Sequence, residues 1–324
     1  PNALKASVFL RDPVTDEGKL SEVTLTKPTS ADGTLTSPWV KVTNCLNIDG
    51  GPPLIYQGFK AGSMCVETQT VKPGSFGDYL YVKPPADYSD PNDGFSELMM
   101  YHHVNVIHDY YKDIHGLANL DFPIAAVVNI QLRLDDAAAL MIGQKPGWMS
   151  FPNAAFIPKE SGQQIPFLPP QTTDSIMFMQ HEDVDFAYEA MVIYHEYTHA
   201  MVGATRLNGA FPDYYGLNNL PGAMNEGFAD YFAASMTDHP VMGAYSLAAQ
   251  GPHYVRKLTE KRICPDDLTT EVHADGKIVG SAMWAIRTAI GKNKADSIIL
   301  QAIQGFTQAT EFQSAGNAIL AETN

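Results

Sequence analysis

Basic residues are scarce in this chain of 324 residues: 21 Lys and Arg stand against 36 Asp and Glu, a formal net charge of -15. A surplus of that sign repels phosphate backbones and anionic lipid headgroups, so neither nucleic acid nor a membrane surface is an expected partner. Long apolar runs are missing too. The densest stretch, Ala187 to Tyr194, carries Glu189 and falls far short of the roughly 20 residues a spanning helix needs. Cysteine is sparse, with only Cys45, Cys65 and Cys264. An odd count assigns no redox compartment. Cys45 and Cys65 share one Gly/Pro-rich region and could close a local loop, which would leave Cys264 over. No internal repeat or low-complexity tract is present.

What remains is an ordinary globular composition, 45% hydrophobic and 18% charged, which excludes disorder and fibre. The length suits two or three packed subdomains. Residues 1–95 read as a β-rich module. Short alternating segments (Ala6–Leu10, Glu22–Thr26, Trp39–Thr43) are separated by turn clusters such as Asp49-Gly50-Gly51-Pro52. A Pro/Asp-rich joint from Lys83 to Gly94 marks the boundary. Residues 96–204 read as an α/β lobe. Its first helix runs over Ser96–His115, with Ser96 as N-cap and Gly116 as the stop. Strands are expected over Ala125–Leu134, Trp148–Ile157 and Ser175–Gln180, then a helix over about Val184–Gly203. Residues 205–324 read as a mainly helical lobe, with helices near Asn225–Met236, Ile278–Ile290, Lys294–Phe306 and Glu311–Glu322.

The chemistry concentrates in the second of these helices of the α/β lobe. His195-Glu196-Tyr197-Thr198-His199 spells H-E-x-x-H. Residues four apart share a helix face, so both imidazoles reach one zinc ion while Glu196 leans to the same side as general base. Apolar neighbours on both flanks, Met191-Val192-Ile193-Tyr194 and Ala200-Met201-Val202, argue against a merely solvated helix. A catalytic zinc needs a third protein ligand. Glu226 is the next acidic residue on a helix, and Asp230 falls four residues on, on the same face, where it can support a ligand histidine.

His195–His199 followed by Gly222-Ala223-Met224-Asn225-Glu226-Gly227-Phe228-Ala229-Asp230 resembles the thermolysin-like and fungalysin peptidases, a gluzincin group. Tyr110-Tyr111-Lys112-Asp113-Ile114-His115-Gly116 is similar to a helix end of the former, and the stretch from Tyr101 to Tyr111 looks closer to the latter. The resemblance covers about residues 96–320. It implies an α+β, zincin-type unit of two lobes around a central zinc helix, preceded by the β-rich module. It implies Asn225 supporting His199, Asp230 orienting His195, His273 as a second catalytic histidine, and Asn153 and Ala154 as an edge-strand pair that binds substrate backbone. One of Tyr214 and Tyr215 would hold the oxyanion, with Tyr215 preferred, and either Arg256 or Arg262 would hold substrate carbonyls. The chain departs from the group at Met191, where calcium-binding thermolysins carry an acid, so calcium is left open. No Asp stands in register to partner His273.

The expected activity is therefore zinc-dependent endopeptidase action on peptide or protein substrates, in a secreted monomer that could also meet its own pro-region. Secretion rests on the resemblance and on the acidic surface, not on a signal segment. A rival reading is an inert zincin-like binding or structural module stabilised by zinc, but a structural site has no need of Glu196. A second rival, an aminopeptidase, needs an acidic patch for the substrate amine beside the metal. Gly222-Ala223-Met224-Asn225 falls after the zinc helix and does not supply one.

Overall fold

The structure is a computed structural model that describes residues 4–56, 58–159, 172–203, 207, 211–213 and 216–323. In chain order the first elements are β1 (Lys5–Val8), β2 (Ser21–Thr24), β3 (Val40–Leu46), β4 (Pro53–Tyr56), β5 (Phe59–Met64) and β6 (Val66–Thr68). They are followed by α1 (Phe95–Asp109), a π-helical turn (Tyr110–Ile114), β7 (Ile124–Ile130), β8 (Leu132–Leu134), α2 (Asp136–Met141), β9 (Gly147–Met149), β10 (Ala154–Ile157), β11 (Ser175–His181) and β12 (Val184–Asp185). A 3-10 turn (Phe186–Tyr188) leads into α3 (Ala190–Val202). The remainder is β13 (Phe211–Asp213), β14 (Gly216–Asn218), α4 (Leu220–Thr237), β15 (Val241–Met242), β16 (Arg256–Lys257), α5 (Val272–Ile290), α6 (Lys292–Gln304) and α7 (Phe312–Ala321). The mixture is α+β, as the resemblance implied. These elements form two units: residues 1–108 with 120–193, and residues 109–119 with 194–324.

The first unit is built on a mixed sheet of order β10-β11-β7-β3-β6, with β12 paired to β11. β7 lies at its centre and runs parallel to both neighbours. Central parallel strands are covered on both faces and read as continuous apolar runs. Ile124, Ala126, Val127, Val128 and Ile130 are accordingly all buried. Two of the sheet's strands, β3 and β6, come from residues 1–95, and Cys45 on β3 is joined to Cys65 by a disulfide. On one side Val127, Ile130, Met177, Met179 and Ile157 pack with that disulfide, against Trp148 and Phe151. β10 is an outer strand of this sheet, pairing antiparallel with β11. A second sheet has the order β4-β5-β8-β9.

In the first unit two helix starts differ from expectation, and capping explains both. The side chain of Asp93, not Ser96, accepts from the first amides of α1 (Phe95 N, 2.7 Å; Ser96 N, 3.2 Å), while Ser96 is the buried second residue of the helix. The helix expected from Val184 begins only at Ala190, because Asp185 pairs in β12 and then caps the 3-10 turn through Ala187 N.

In the second unit α4 is buried on nearly all sides, with Met224, Phe228, Tyr231, Phe232 and Ala233 sealed from solvent. It begins at Leu220, before the expected Asn225, because Pro221 sits in its first turn, where a missing N–H costs nothing. α4 crosses α5 where neither has a side chain. A Cβ placed on Gly227 would stand 2.5 Å from the carbonyl oxygen of Gly276 and 2.7 Å from Val279 Cβ. Burying the charge of Asp296 on α6 is offset by partners: the Tyr231 hydroxyl at 2.5 Å, the Ser235 hydroxyl at 2.8 Å and Lys292 Nζ at 3.2 Å. This locks α6 to α4.

Candidate metal centre

All residues of the centre described here lie in the second unit. The i,i+4 spacing on α3 puts His195 and His199 on one face, their Nε2 atoms 3.1 Å apart. The close glycine crossing of α4 and α5 sets the place of Glu226, next to Gly227. Glu226 Oε2 stands 3.1 Å from His195 Nε2, and Oε1 stands 3.7 Å from His199 Nε2. The three ligand atoms lie within 4.8 Å of one another, and among the described residues no other group of His, Cys, Asp and Glu is so arranged.

Each remaining ring nitrogen is engaged from behind. Asp230 Oδ1, one turn beyond Glu226, lies 2.9 Å from His195 Nδ1. Asn225 Oδ1 lies 2.8 Å from His199 Nδ1, and the Asn225 amide donates to the carbonyl of Leu207 at 3.1 Å. Arg256 on β16 grips Asp230 with two parallel bonds, Nε to Oδ2 at 2.6 Å and Nη2 to Oδ1 at 2.7 Å. Glu196 is buried and stands outside the ligand triplet.

The electrostatics follow from this arrangement. Burial works against the charged form of His195, but Asp230 and Glu226 outweigh it and push its pKa up to about 10. Burial likewise opposes ionisation of Glu226 and Asp230. The histidines around Glu226, and Arg256 with His195 beside Asp230, hold both carboxyls well below the usual range. The site is therefore organised around positive charge.

The donor set fits a zinc ion. Two ligand atoms about 2.1 Å from one tetrahedral ion stand roughly 3.4 Å apart, and the three separations seen here bracket that value. Glu226 Oε2 is buried yet accepts no well-aligned hydrogen bond. Both Nε2 atoms point inward, with Nδ1 of His195 beside Asp230 and Nδ1 of His199 beside Asn225.

His273 lies in the first turn of α5, its Nε2 3.5 Å from Glu226 Oε2. Its Nδ1 lies 2.7 Å from Oε1 of Glu271, whose carboxylate also caps the helix at His273 N and Ala274 N. Among the described residues no aspartate partners His273; Glu271, absent from the sequence expectations, stands there instead. Its signal was present: an acid directly before the helix, two residues from the histidine. Of the two candidate arginines, Arg256 is buried in the centre, whereas Arg262 pairs with Glu260 and Asp267 near the surface. Tyr214 and Tyr215 lie outside the described residues. Asn153 and Ala154 belong to the first unit. The Asn153 carbonyl accepts from Met179 N at 3.1 Å, and Ala154 opens the outer strand β10.

A family model for the fungalysin metallopeptidases matches residues 83–321. The chain belongs to that family. No curated protein sequence matches it. Fungalysin membership makes the chain a metallopeptidase. The family's activity is zinc-dependent cleavage of peptide bonds, and its substrates are peptides or proteins. Among the described residues no helix is long and apolar enough to cross a membrane.

Proposed function

We propose that this fungalysin is a gluzincin endopeptidase in which His195, His199 and Glu226 hold one zinc ion and Glu196 is the general base. The observation that carries the reading is the convergence of three ligand atoms within 4.8 Å, with Glu226 Oε2 buried and lacking an aligned donor. Bound there, zinc supplies Lewis acidity toward a water and toward the scissile carbonyl.

The chain's own residues do the rest. Glu196 takes a proton from the attacking water as its oxygen bonds to the carbonyl carbon. Glu196 then passes that proton to the amide nitrogen, which departs as the amine when the C–N bond breaks. With both ring nitrogens protonated, Nε2–H of His273 donates to the developing oxyanion, while Nδ1–H donates to Glu271, whose carboxylate supports that imidazolium. Tyr215 is proposed as a second donor to that oxygen. Asp230 and Asn225 orient the ligand rings, and Arg256 orients Asp230. A substrate adds as an extended strand at Asn153 and Ala154, a mode that reads backbone more than side chains and so admits internal bonds. The enzyme is proposed to act outside the cell, as a monomer.

An internally quenched peptide blocked at both ends tests this. Cleavage at an internal bond, abolished by a zinc chelator and restored by added zinc, is the expected result. Cleavage only of peptides with a free N-terminus would replace it with an aminopeptidase.

A further inference from the structure

Away from the metal centre, the first unit buries two carboxyl groups against a single hydroxyl. Asp93 precedes α1 and Asp185 ends β12, and both are sealed from solvent. Ser96 Oγ lies 2.7 Å from Asp93 Oδ2 and also contacts Asp185 Oδ2 at short range. A serine hydroxyl has one hydrogen and donates to one acceptor. The other contact sets oxygen against oxygen and is attractive only when that carboxyl is protonated and donates to Ser96 Oγ. The surrounding donors indicate which one. Asp93 accepts from Phe95 N, Ser96 N and the Tyr188 hydroxyl, the last at 2.5 Å. Asp185 accepts from Ala187 N at 2.8 Å and Gln180 Nε2 at 3.0 Å. The two amides and the phenol hydroxyl around Asp93 stabilise it as the anion.

We infer that Asp93 and Asp185 share one proton through Ser96, in the order Asp185 Oδ2–H to Ser96 Oγ–H to Asp93 Oδ2, forming a pH-sensitive clamp between the start of α1 and the turn that feeds α3. Tyr188, on that same turn, reinforces the clamp through its bond to Asp93. The neighbouring groups are compatible with a single proton. Gln180 also donates to the backbone carbonyl of Asp90, Tyr88 packs edge-on against the Tyr188 ring, and Glu97 on α1 turns away to Thr70 and Val71. Burial first, and then the charge of Asp93, push the Asp185 carboxyl up from 3.8 to about 7. The folded chain thus keeps a proton that the unfolded chain releases near 3.8. The contribution to stability is complete below that pH and is lost as pH rises through about 7, where two anions come to share a buried site.

Infrared spectroscopy of the zinc-loaded protein tests the clamp. Glu97 is a second buried acid, so the readout is the difference between wild type and Asp185→Asn. At about pH 5.5 that difference is expected to contain the C=O stretch of a neutral carboxylic acid, which vanishes by about pH 8. A difference holding only carboxylate bands at the lower pH overturns the inference. Asp93→Asn gives a check that does not depend on the folding of the first variant: removing the neighbouring charge should lower the band's titration midpoint by about a unit or more. An unmoved midpoint overturns the shared proton. In unfolding experiments, the folding constant of wild type relative to Asp185→Asn should fall by up to about tenfold per pH unit across this window. A flat ratio contradicts it.

Discussion

Replacing Gly227 by alanine adds one methyl group at the place where α4 and α5 touch. Its carbon would lie 2.5 Å from Gly276 O, 2.7 Å from Val279 Cβ and 3.2 Å from Gly280 N. Ordinary contact between such atoms is about 3.5–4.0 Å, so the helices must part by roughly 1 Å. Two backbones cannot yield as a flexible side chain would. Overpacking of this kind costs about 1–3 kcal/mol, and alanine's better helix propensity returns about 0.5–1 kcal/mol of it. The net expectation is a loss of about 1–2 kcal/mol, with a second effect next door. Glu226 moves with its helix, and metal–ligand distances tolerate only about 0.2 Å. Zinc affinity should therefore drop by about tenfold or more. Denaturant unfolding of the zinc-free protein, with chelator competition for zinc, measures the two effects separately. Gly276→Ala, whose nearest contacts are 3.0 Å, should show the same defects more mildly, and Gly316→Ala on α7, with open space around it, should stabilise by about 0.5–1 kcal/mol. A Gly227→Ala protein with wild-type stability and wild-type zinc affinity would refute the claim that this glycine crossing positions Glu226.

Other outcomes follow from the same geometry. Arg256→Met takes the guanidinium from the buried Asp230 and leaves it His195 but no full countercharge partner of that strength, so it should cost about 3–5 kcal/mol in thermal or denaturant unfolding. Asp230→Asn should lower zinc affinity by about 10–100-fold in chelator competition. His273→Ala should reduce kcat about 100-fold with zinc content unchanged, and Glu271→Ala should reproduce part of that loss in steady-state kinetics. In the zinc-free protein, the raised pKa of His195 stabilises the fold fully below about 6.5, its unfolded value, and that stability is lost as pH rises toward about 10. Zinc takes the place of this proton, so unfolding scans should show the alkaline decline in the zinc-free protein and its absence in the loaded one.

The candidate ligand cluster is legible in sequence wherever helix periodicity alone decides which residues meet. His195 and His199, and Glu226 with Asp230, are each four apart, and a helix needs no tertiary information to align them. Glu271 and His273 meet across a helix start, where an acid reaches back to the first amides and a neighbouring ring at once. A pattern built on helix faces does not capture that. Arg256 and Arg262 are six residues apart, and what separates them is that Arg256 lies on β16, paired with β15, and is buried, a difference no sequence pattern marks. The late start of α3 has a similar origin. Val184 to Tyr188 is apolar enough to extend a helix, but Asp185 makes better use of its carboxylate in the buried cluster with Ser96 and Gln180. The early start of α4 was hidden by Pro221 and Gly222, which read as loop residues although proline is favoured in a first turn. In the mixed sheet β3, β7, β10 and β11 match expected strands, whereas β6 and β12 do not, and the order was not legible because pairing between β3 and β7 joins segments some 80 residues apart.

The central claim is that Glu196 moves the proton while His195, His199 and Glu226 hold the ion. The most direct measurement compares wild type with Glu196→Gln for bound zinc and for cleavage of a blocked, internally quenched peptide. The account predicts one zinc per chain in both, and a fall in kcat of about 10²–10⁴ in the variant. A variant that keeps its zinc and cuts as fast as wild type would contradict the assignment of Glu196, and a wild type that binds no zinc would contradict the site itself.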